Sequence, residues 1–182
     1  VHIPPLPEQQ KIATILSSVD DVIEKTRSQI DKLKDLKTGM MQELLTQGIG
    51  HTEFKDSPVG RIPASWSVAS LEQVALLSRG RFSHRPRNDP MFYGGQYPFL
   101  QTGDIPKEAT LIKSHSQTLN ERGYKVSKVF PKGTLVITIA ATIGEVGVLN
   151  FDACFPDSLV GITAKNDLVH AYYLVYILKH LS

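Results

Sequence analysis

Apolar side chains recur with a seven-residue period between Glu8 and Gln47. Two positions in each heptad form a seam, and eight of its ten positions are apolar, while Thr26 and Lys37 occupy the other two. This pattern predicts one unbroken helix with a coiled-coil stripe, which needs a second helix from the same full-length chain or from another copy. The predicted interface residues are Ile12, Leu16, Val19, Ile23, Ile30, Leu33, Met40 and Leu44.

The pattern changes after Gly48 and Gly50, which are expected to end the helix, to short apolar segments separated by glycine and proline. We predict an α+β fold, with a Pro-rich lead-in and a long helix over residues 1–50 and a mixed, strand-rich domain over residues 51–182. The predicted elements of this domain are a linker at His51–Pro63, a strand then a helical turn within Trp66–Leu77, a long loop at Ser78–Gly95, strands at Tyr97–Leu100, Lys125–Phe130, Thr134–Ala141, Glu145–Phe151 and Leu159–Ala164, and a helix at Leu168–Leu181.

Positive charge is concentrated in one segment of the chain. The formal net charge is only +2, yet residues 79–132 carry ten basic and four acidic side chains, a net of +6. Residues 1–50 carry six basic and seven acidic side chains, a net of −1. Because clustered positive charge attracts polyanions, the central segment is where we expect a polyanionic partner to bind.

The densest part of that segment is a loop with four arginines within nine residues, Arg79, Arg81, Arg85 and Arg87. The planar guanidinium group can contact a phosphate or a guanine edge at two points, and Asn88 can pair with adenine in the same way. We include His84 in this candidate DNA-binding loop because it lies among the arginines. The alternative is a solvated basic loop without a ligand.

Polar side chains elsewhere in the segment extend the candidate surface. Gln101, Thr102 and Asp104 follow a predicted strand, where they either reach DNA bases or cap a turn. Three lysines are candidate phosphate contacts, provided that they share a face with the arginine loop. These lysines are Lys113, Lys125 and Lys128.

The sequence offers no catalytic or metal-binding constellation. It lacks a Gly-rich loop ending in Gly-Lys-Ser/Thr, and its six histidines are not spaced as metal ligands. The single cysteine, Cys154, excludes an internal disulfide and is predicted to be a small buried side chain. With no signal peptide and no apolar run long enough for a bilayer, we expect a cytoplasmic protein without metal, cofactor or membrane contact. Because the chain starts at Val1, we also expect it to be a segment of a longer product.

Five segments resemble one known family, the specificity subunits of type I restriction-modification systems. Ile3–Ile12 resembles the proline-rich entry into the long helix of these subunits, and Gly60–Trp66 resembles the start of their target recognition domains. Tyr97–Ile105, Phe130–Val136 and Ile143–Gly147 are similar to the core of that domain. The order of these segments along the chain is more specific than any one of them.

The resemblance implies a non-catalytic DNA-recognition subunit that reads one half of a bipartite site in double-stranded DNA. It implies two antiparallel spacer helices, with methyltransferase subunits and motor-nuclease subunits as partners. In the family the recognition domain precedes its helix, whereas here the helix comes first. The chain is therefore interpreted as a spacer helix followed by a second recognition domain that is incomplete at its C-terminal end. The alternative function is a coiled-coil assembly module with an incidental basic loop.

Overall fold

The computed structural model describes residues 2–84 and 86–181, so Arg85 of the predicted DNA-binding loop lies outside the described residues. Internal contacts divide the chain into two units, Val1–Thr52 and Glu53–Ser182. The first unit consists of a long helix with its lead-in, and the second is rich in strands. This combination confirms the predicted α+β fold class. The assignment of residues 51–182 to one recognition domain, incomplete at its C-terminal end, stays a prediction.

The long helix, α1, spans Leu6–Thr46, a length of 41 residues or about 60 Å. It begins two residues before the predicted start, with Pro5 at the N-cap and Pro7 in the first turn, where a missing backbone N–H costs no helical hydrogen bond. Gly48 and Gly50 follow the helix with positive φ angles of 69° and 70°. None of the residues of α1 is buried, and its eight apolar seam residues are 41–64% exposed. The stripe is therefore available for a partner helix.

The second unit contains eleven strands and three short helices among its described residues. The strands are β1 Phe54–Ser57, β2 Gly60–Pro63, β3 Ala75–Arg79, β4 Tyr93–Phe99, β5 Leu111–Ile112, β6 Gln117–Leu119, β7 Val129–Phe130, β8 Leu135–Thr138, β9 Val146–Leu149, β10 Ala153–Cys154 and β11 Leu159–Ala164. The helices are α2 Leu71–Val74, α3 Glu121–Lys125 and α4 Ala171–Leu181. Two 3-10 turns lie at Pro90–Phe92 and Thr102–Asp104.

The described strands form a hairpin and two mixed sheets. The four-stranded sheet has the order β6-β4-β10-β7, and the five-stranded sheet has the order β3-β11-β8-β9-β5. Pairing is antiparallel except between β4 and β10 and between β5 and β9. Strands β1 and β2 form the separate antiparallel hairpin.

The core follows from the alternation of side chains along the strands. In β8, Val136 belongs to an apolar cluster that contains side chains of both sheets, while its neighbour Leu135 belongs to a cluster that includes α4 residues. In β10, Ala153 lies in the cluster between the sheets, and Cys154 lies on the opposite face. The four-stranded sheet thus has apolar side chains on both faces, and the arginine-rich loop covers the outer one with Phe82.

Several predicted elements are wrong in order or extent. The predicted linker contains the β1–β2 hairpin, which Gly60 permits by adopting a φ of 105°. Within Trp66–Leu77 the helical turn α2 precedes the strand, because Ser70 and Gln73 form a reciprocal capping box at its start. The Gly94–Gly95 pair belongs to strand β4 instead of the loop, and Lys125 ends a helix instead of starting a strand.

Candidate functional site

The end of strand β3, the arginine-rich loop that follows it and the turn that leads into β11 meet at one place. Arg79 is the last residue of β3 and pairs with Val160 in β11, so its side chain lies beside the turn that leads into β11. Its Nε donates a hydrogen bond of 2.6 Å to the backbone carbonyl of Asp157 in that turn. The carboxylate of Asp157 forms an ion pair with the guanidinium group of Arg87. Two arginines that are eight positions apart in sequence therefore share one acidic residue.

Gly80 determines how the loop leaves β3. Its backbone N–H donates to the Leu159 carbonyl at 2.9 Å, and a Cβ at this position would lie 2.2 Å from the carbonyl oxygen of Pro156. No real side chain fits at that distance, so glycine is required for the close passage of the loop past the β10–β11 turn. Phe82 then enters the apolar cluster of the four-stranded sheet, where it is only 3% exposed, and forms an isolated bridge with Ser127.

Arg81 and Lys128 complete the group of cations. The Nη2 of Arg81 donates to the Ser127 carbonyl at 3.4 Å, and the Lys128 backbone N–H donates to the Arg81 carbonyl at 3.3 Å. The Lys128 ammonium group donates to the hydroxyl of Ser78 and lies 5.3 Å from the centre of the Phe130 ring. We call Arg79, Arg81, Arg87 and Lys128 the basic cluster. Their side chains are exposed, and Asp157 is the one acidic residue seen to pair with them in the described part of the chain.

A pocket of about 400 Å³ opens beside the basic cluster. Its apolar lining consists of Phe82, Tyr93, Phe99, Pro90 and Pro156, and its polar lining consists of Arg87, Asn88, Gln101 and Gln117. The pocket therefore combines aromatic walls with amide groups that can both donate and accept hydrogen bonds.

Hydrogen bonds order the polar side of this pocket. The Gln101 side-chain amide donates to the Gln117 side chain at 2.9 Å. The Tyr93 hydroxyl donates to the Arg87 backbone carbonyl, which ties the loop to strand β4. Burial raises the pKa of the Tyr93 phenol, an effect that the nearby Arg87 partly opposes. The phenol therefore stays protonated and remains a donor over the physiological pH range.

The remaining predicted site residues fall into different places. His84 lies against the Phe92 ring with a centroid distance of 4.1 Å, and its Nε2 lies 3.3 Å from the Asp89 carboxylate. This environment gives His84 a role in holding the loop. Thr102 begins a 3-10 turn that Asp104 caps by accepting from the backbone N–H of Gln101 at 2.8 Å. Asp104 thus fulfils the turn-capping alternative.

The structure does not bring Lys113 and the basic cluster to one sheet edge. Lys113 follows β5, which lies at the opposite edge of the five-stranded sheet from β3. Lys125 is exposed at the end of α3, a short helix capped by the Asn120 side chain. Lys128 contacts Ser78 and Arg81, so it shares a face with the arginines. It therefore meets the condition under which the lysines were predicted to contact phosphate.

Two polar residues of the site were not predicted from the sequence. Asp157 was not identified because it lies seventy positions from Arg87, and long-range ion pairs leave no local pattern. Gln117 lies in a short strand without alternating polarity. Phe82 between the basic residues was the available signal for the pocket, because a large aromatic side chain is buried more often than the polar residues around it.

Two features of the described residues bear on chemistry beyond the basic cluster, the arrangement of possible metal ligands and the state of the cysteine. Within residues 2–84 and 86–181, no group of three or more His, Cys, Asp or Glu side chains could hold a metal ion. Cys154 is 1% exposed, as predicted, and burial raises the pKa of its thiol to about 11. No helix in this described part is both long enough and apolar enough to cross a membrane.

Comparisons with known proteins point to one family. The family model for the type I restriction modification DNA specificity domain matches residues 1–35 and 63–182. A Methanocaldococcus jannaschii protein named for the MjaX type I restriction enzyme specificity subunit is 30% identical over 187 residues, which cover 100% of this chain and 42% of that protein. The MjaVIII specificity subunit of the same organism is 41% identical over 83 residues, or 45% of this chain and 20% of that protein. This chain thus spans less than half the length of these relatives.

Solved structures share the fold. The HsdS subunit from Thermoanaerobacter tengcongensis superimposes with a TM-score of 0.60 at 23% identity, covering 98% of this chain and 42% of that chain. A chain from a type I R-M system, solved to explain complex assembly and conformational transition, gives a TM-score of 0.52 at 23% identity with the same coverage. Together with the family match over both units, this likeness confirms the resemblance seen in the sequence. The chain belongs to the type I restriction modification DNA specificity domain family.

Proposed function

We propose that this chain recognises a DNA sequence as part of a type I restriction-modification specificity subunit, reading one half of a bipartite site. The observation that carries the proposal is the basic cluster, which gathers Arg79, Arg81, Arg87 and Lys128 from separate elements beside a pocket lined with amides. Such an arrangement suits both tasks of a DNA-reading surface, because cations bind phosphates and amide or guanidinium groups distinguish base edges.

The predicted DNA-binding residues divide between these two tasks. Lys128 serves as a phosphate contact that does not depend on sequence, whereas Lys125 and Lys113, which lie outside the cluster, would contact phosphates only where the bound DNA extends beyond it. Arg87, Asn88 and Gln101 are the candidates for reading bases, since they surround the pocket mouth. The remaining members of the proposed surface are Arg79, Arg81, His84, Arg85 and Thr102.

The proposed function needs no chemistry from this chain. We propose that the subunit is non-catalytic and cytoplasmic, and that it binds double-stranded DNA and scaffolds methyltransferase subunits and motor-nuclease subunits. Helix α1 serves as the spacer, packing its exposed seam against a second helix from the same full-length chain or from another copy. The family match favours this function over the alternative of a coiled-coil assembly module, which would have no reason to prefer one duplex sequence.

A titration of the full complex with cognate and random duplexes at several salt concentrations tests the proposal. The double variant Arg79→Ala/Arg87→Ala removes two cluster charges, so the logarithm of affinity should fall less steeply with the logarithm of salt, by about two units of slope. If Arg87 reads a base, the cognate site loses a further ~1–3 kcal/mol. A matched control, Lys55→Ala/Lys107→Ala, removes the same charge from exposed positions outside the cluster. Equal affinity and equal preference in both variants would reject the proposed surface.

The spacer role has its own test. Inserting one heptad into α1 preserves the seam and lengthens the helix by roughly 10 Å, about three base pairs of duplex. The methylated site, mapped in cells that carry the altered gene, should gain about three base pairs between its two halves. An unchanged spacing would show that α1 does not set the distance.

A further inference from the structure

The pocket beside the basic cluster is larger than a base-edge contact requires. A side chain that reads a base pair in a groove needs only to project toward it, whereas this site is a concave space of about 400 Å³. Pockets of this size are typical of sites that enclose a small ligand. The pocket is therefore large enough to hold part of a small ligand.

The lining indicates the chemistry of that occupant. Phe82, Tyr93 and Phe99 form an aromatic wall, with ring centroids 5.4–6.0 Å apart. The rings of Phe82 and Phe99 are fixed in the core at 3% and 1% exposure, so they hold the wall rigid, and the half-buried Tyr93 is the ring with surface left for a ligand. A rigid aromatic wall favours a flat, apolar-faced ligand, which loses little conformational freedom on binding.

The polar lining adds directional recognition. Asn88, Gln101 and Gln117 supply amide oxygens and amide N–H groups, so the pocket can satisfy a ligand edge that carries donors and acceptors side by side. Among the residues that the structure describes, the lining contains one charged side chain, Arg87, which is already paired with Asp157. A neutral heteroaromatic ring matches this combination better than a carboxylate, a phosphate or an aliphatic chain.

The charge beside the pocket indicates what the ring is attached to. Arg87 belongs to both the pocket lining and the basic cluster, so a ring in the pocket would have Arg79 and Arg87 next to its substituent. A nucleotide has this composition, with a flat base joined through its sugar to a phosphate. We propose that the pocket holds a single unstacked nucleobase of the bound DNA, while the basic cluster holds the phosphate next to it.

This inference rests on the proposed DNA-binding function and adds a ligand site to it. Taking a base out of the duplex has an unpairing cost that is least where the base is already unpaired. Stacking on aromatic side chains and the amide hydrogen bonds offset that cost. The site would therefore favour DNA with an unpaired base next to the bound segment over fully paired DNA of the same charge.

A pair of probes isolates the base from the phosphates. One is a short duplex of random sequence with a single unpaired adenine, and the other carries an abasic residue at the same point. The two probes have equal charge and similar flexibility, so only the base differs. The full complex should bind the adenine probe about 5- to 100-fold more tightly than the abasic probe, the range expected for stacking of one base. Equal binding of the two probes would overturn the proposal.

A variant that fills the pocket assigns the preference to this site. Asn88→Trp places a large ring at the exposed mouth and should abolish the adenine preference, so that the adenine and abasic probes bind equally to this variant. The control Asn166→Trp makes the same exchange at an exposed position outside the lining and should leave the preference intact. If Asn88→Trp keeps the preference, the base binds elsewhere and the proposal fails. Should Asn88→Trp instead weaken only subunit assembly, the pocket holds a protein side chain, which also overturns it.

A second variant tests the pocket in case Asn88→Trp does not fold. Gln117→Leu removes one amide from the lining and leaves a side chain of similar size, so it should reduce the adenine preference several-fold even if Asn88→Trp is unstable. The same proteins are titrated with fully paired cognate and random duplexes. An unaltered complex that shows no adenine preference but keeps its cognate preference rejects the base pocket alone, whereas equal binding of the unaltered complex to cognate and random duplexes rejects the proposed function.

Discussion

On the proposed DNA-reading surface, Asp157 would compete with DNA for the arginines that surround it, and this competition can be measured. Its carboxylate pairs with Arg87, and its backbone carbonyl accepts from Arg79. To contact a phosphate, Arg87 has to leave or share that carboxylate. The substitution Asp157→Asn removes the negative charge but keeps the backbone carbonyl and nearly the same shape. We therefore expect this variant to bind all duplex sequences more tightly.

The magnitude follows from the exposure of the pair. The two side chains are 43% and 41% exposed, so solvent screens the ion pair and its contribution is ~0.2–1 kcal/mol. A phosphate held by Arg87 would lie roughly 6 Å from the carboxylate, and their repulsion in water adds about 0.7 kcal/mol before salt screening. The sum, about 0.9–1.7 kcal/mol, corresponds to about 5- to 20-fold tighter binding for Asp157→Asn at low salt.

The assay is a duplex titration of the full complex at several salt concentrations. The gain should appear on cognate and random duplexes alike and should shrink as salt rises, because screening weakens both terms. In an Arg87→Ala background the gain should fall to about 2-fold, leaving only the effect on Arg79 and on general repulsion. Asp167→Asn, an equal charge change at an exposed position outside the cluster, should have little effect. An unchanged affinity for Asp157→Asn at low salt would refute the assignment of Arg87 to a DNA contact.

Three further predictions concern assembly, titration and packing. Replacing Ile23 and Ile30 with Asp puts two charges into the seam, each costing several kcal/mol when buried, so the partnered state should be lost in sedimentation or light scattering. Cys154, whose pKa is raised to about 11, should resist alkylation at neutral pH in the folded protein. As pH rises from about 9 to 11, the free energy of unfolding measured by chemical denaturation should fall. Gly161→Ala should lower the free energy of unfolding by ~1–3 kcal/mol, because its Cβ would lie 2.5 Å from a buried phenylalanine ring, whereas Gly103→Ala meets no atom within 4 Å.

Each of these three predictions has a control variant or an outcome that would contradict it. Ser17→Asp/Ser28→Asp adds the same two carboxylates to α1 away from the seam and should preserve assembly. Native assembly in the Ile23→Asp/Ile30→Asp variant would contradict the coiled-coil interpretation. Rapid alkylation of the folded protein would contradict the burial of Cys154. A Gly161→Ala variant as stable as Gly103→Ala would mean that the ring can move aside.

The sequence predicted the order of the helices and strands better than the residues at which each begins and ends. The heptad period located α1 to within two residues at its start, because periodicity accumulates over five repeats. Strand β11 was located at its observed limits, Leu159–Ala164, because it is a continuous apolar segment between turns. Strands β5, β7 and β10 contain only two residues each and carry no period, so their existence depends on pairing with distant strands.

The candidate site was predicted only in part, because a local pattern is visible in the sequence and contacts between distant strands are not. The arginines form a local pattern that can be read from the sequence, and the structure brings Arg79 and Arg87 together at one turn. Their common acidic neighbour, Asp157, and the amide partner of Gln101 depend on contacts between strands far apart in the chain. Only three-dimensional proximity reveals that the basic loop closes over an aromatic pocket.

The division of contacts between Thr52 and Glu53 has a consequence for how new specificities arise. Contacts within each unit are preserved when the other unit is replaced, so a genetic crossover at this junction disrupts neither set. If Glu53–Ser182 carries the DNA-reading surface as proposed, recombination between related genes can exchange that surface while the length of α1 stays the same. The host population would then acquire a different recognition sequence in a single inherited event, without passing through a series of weakened intermediates.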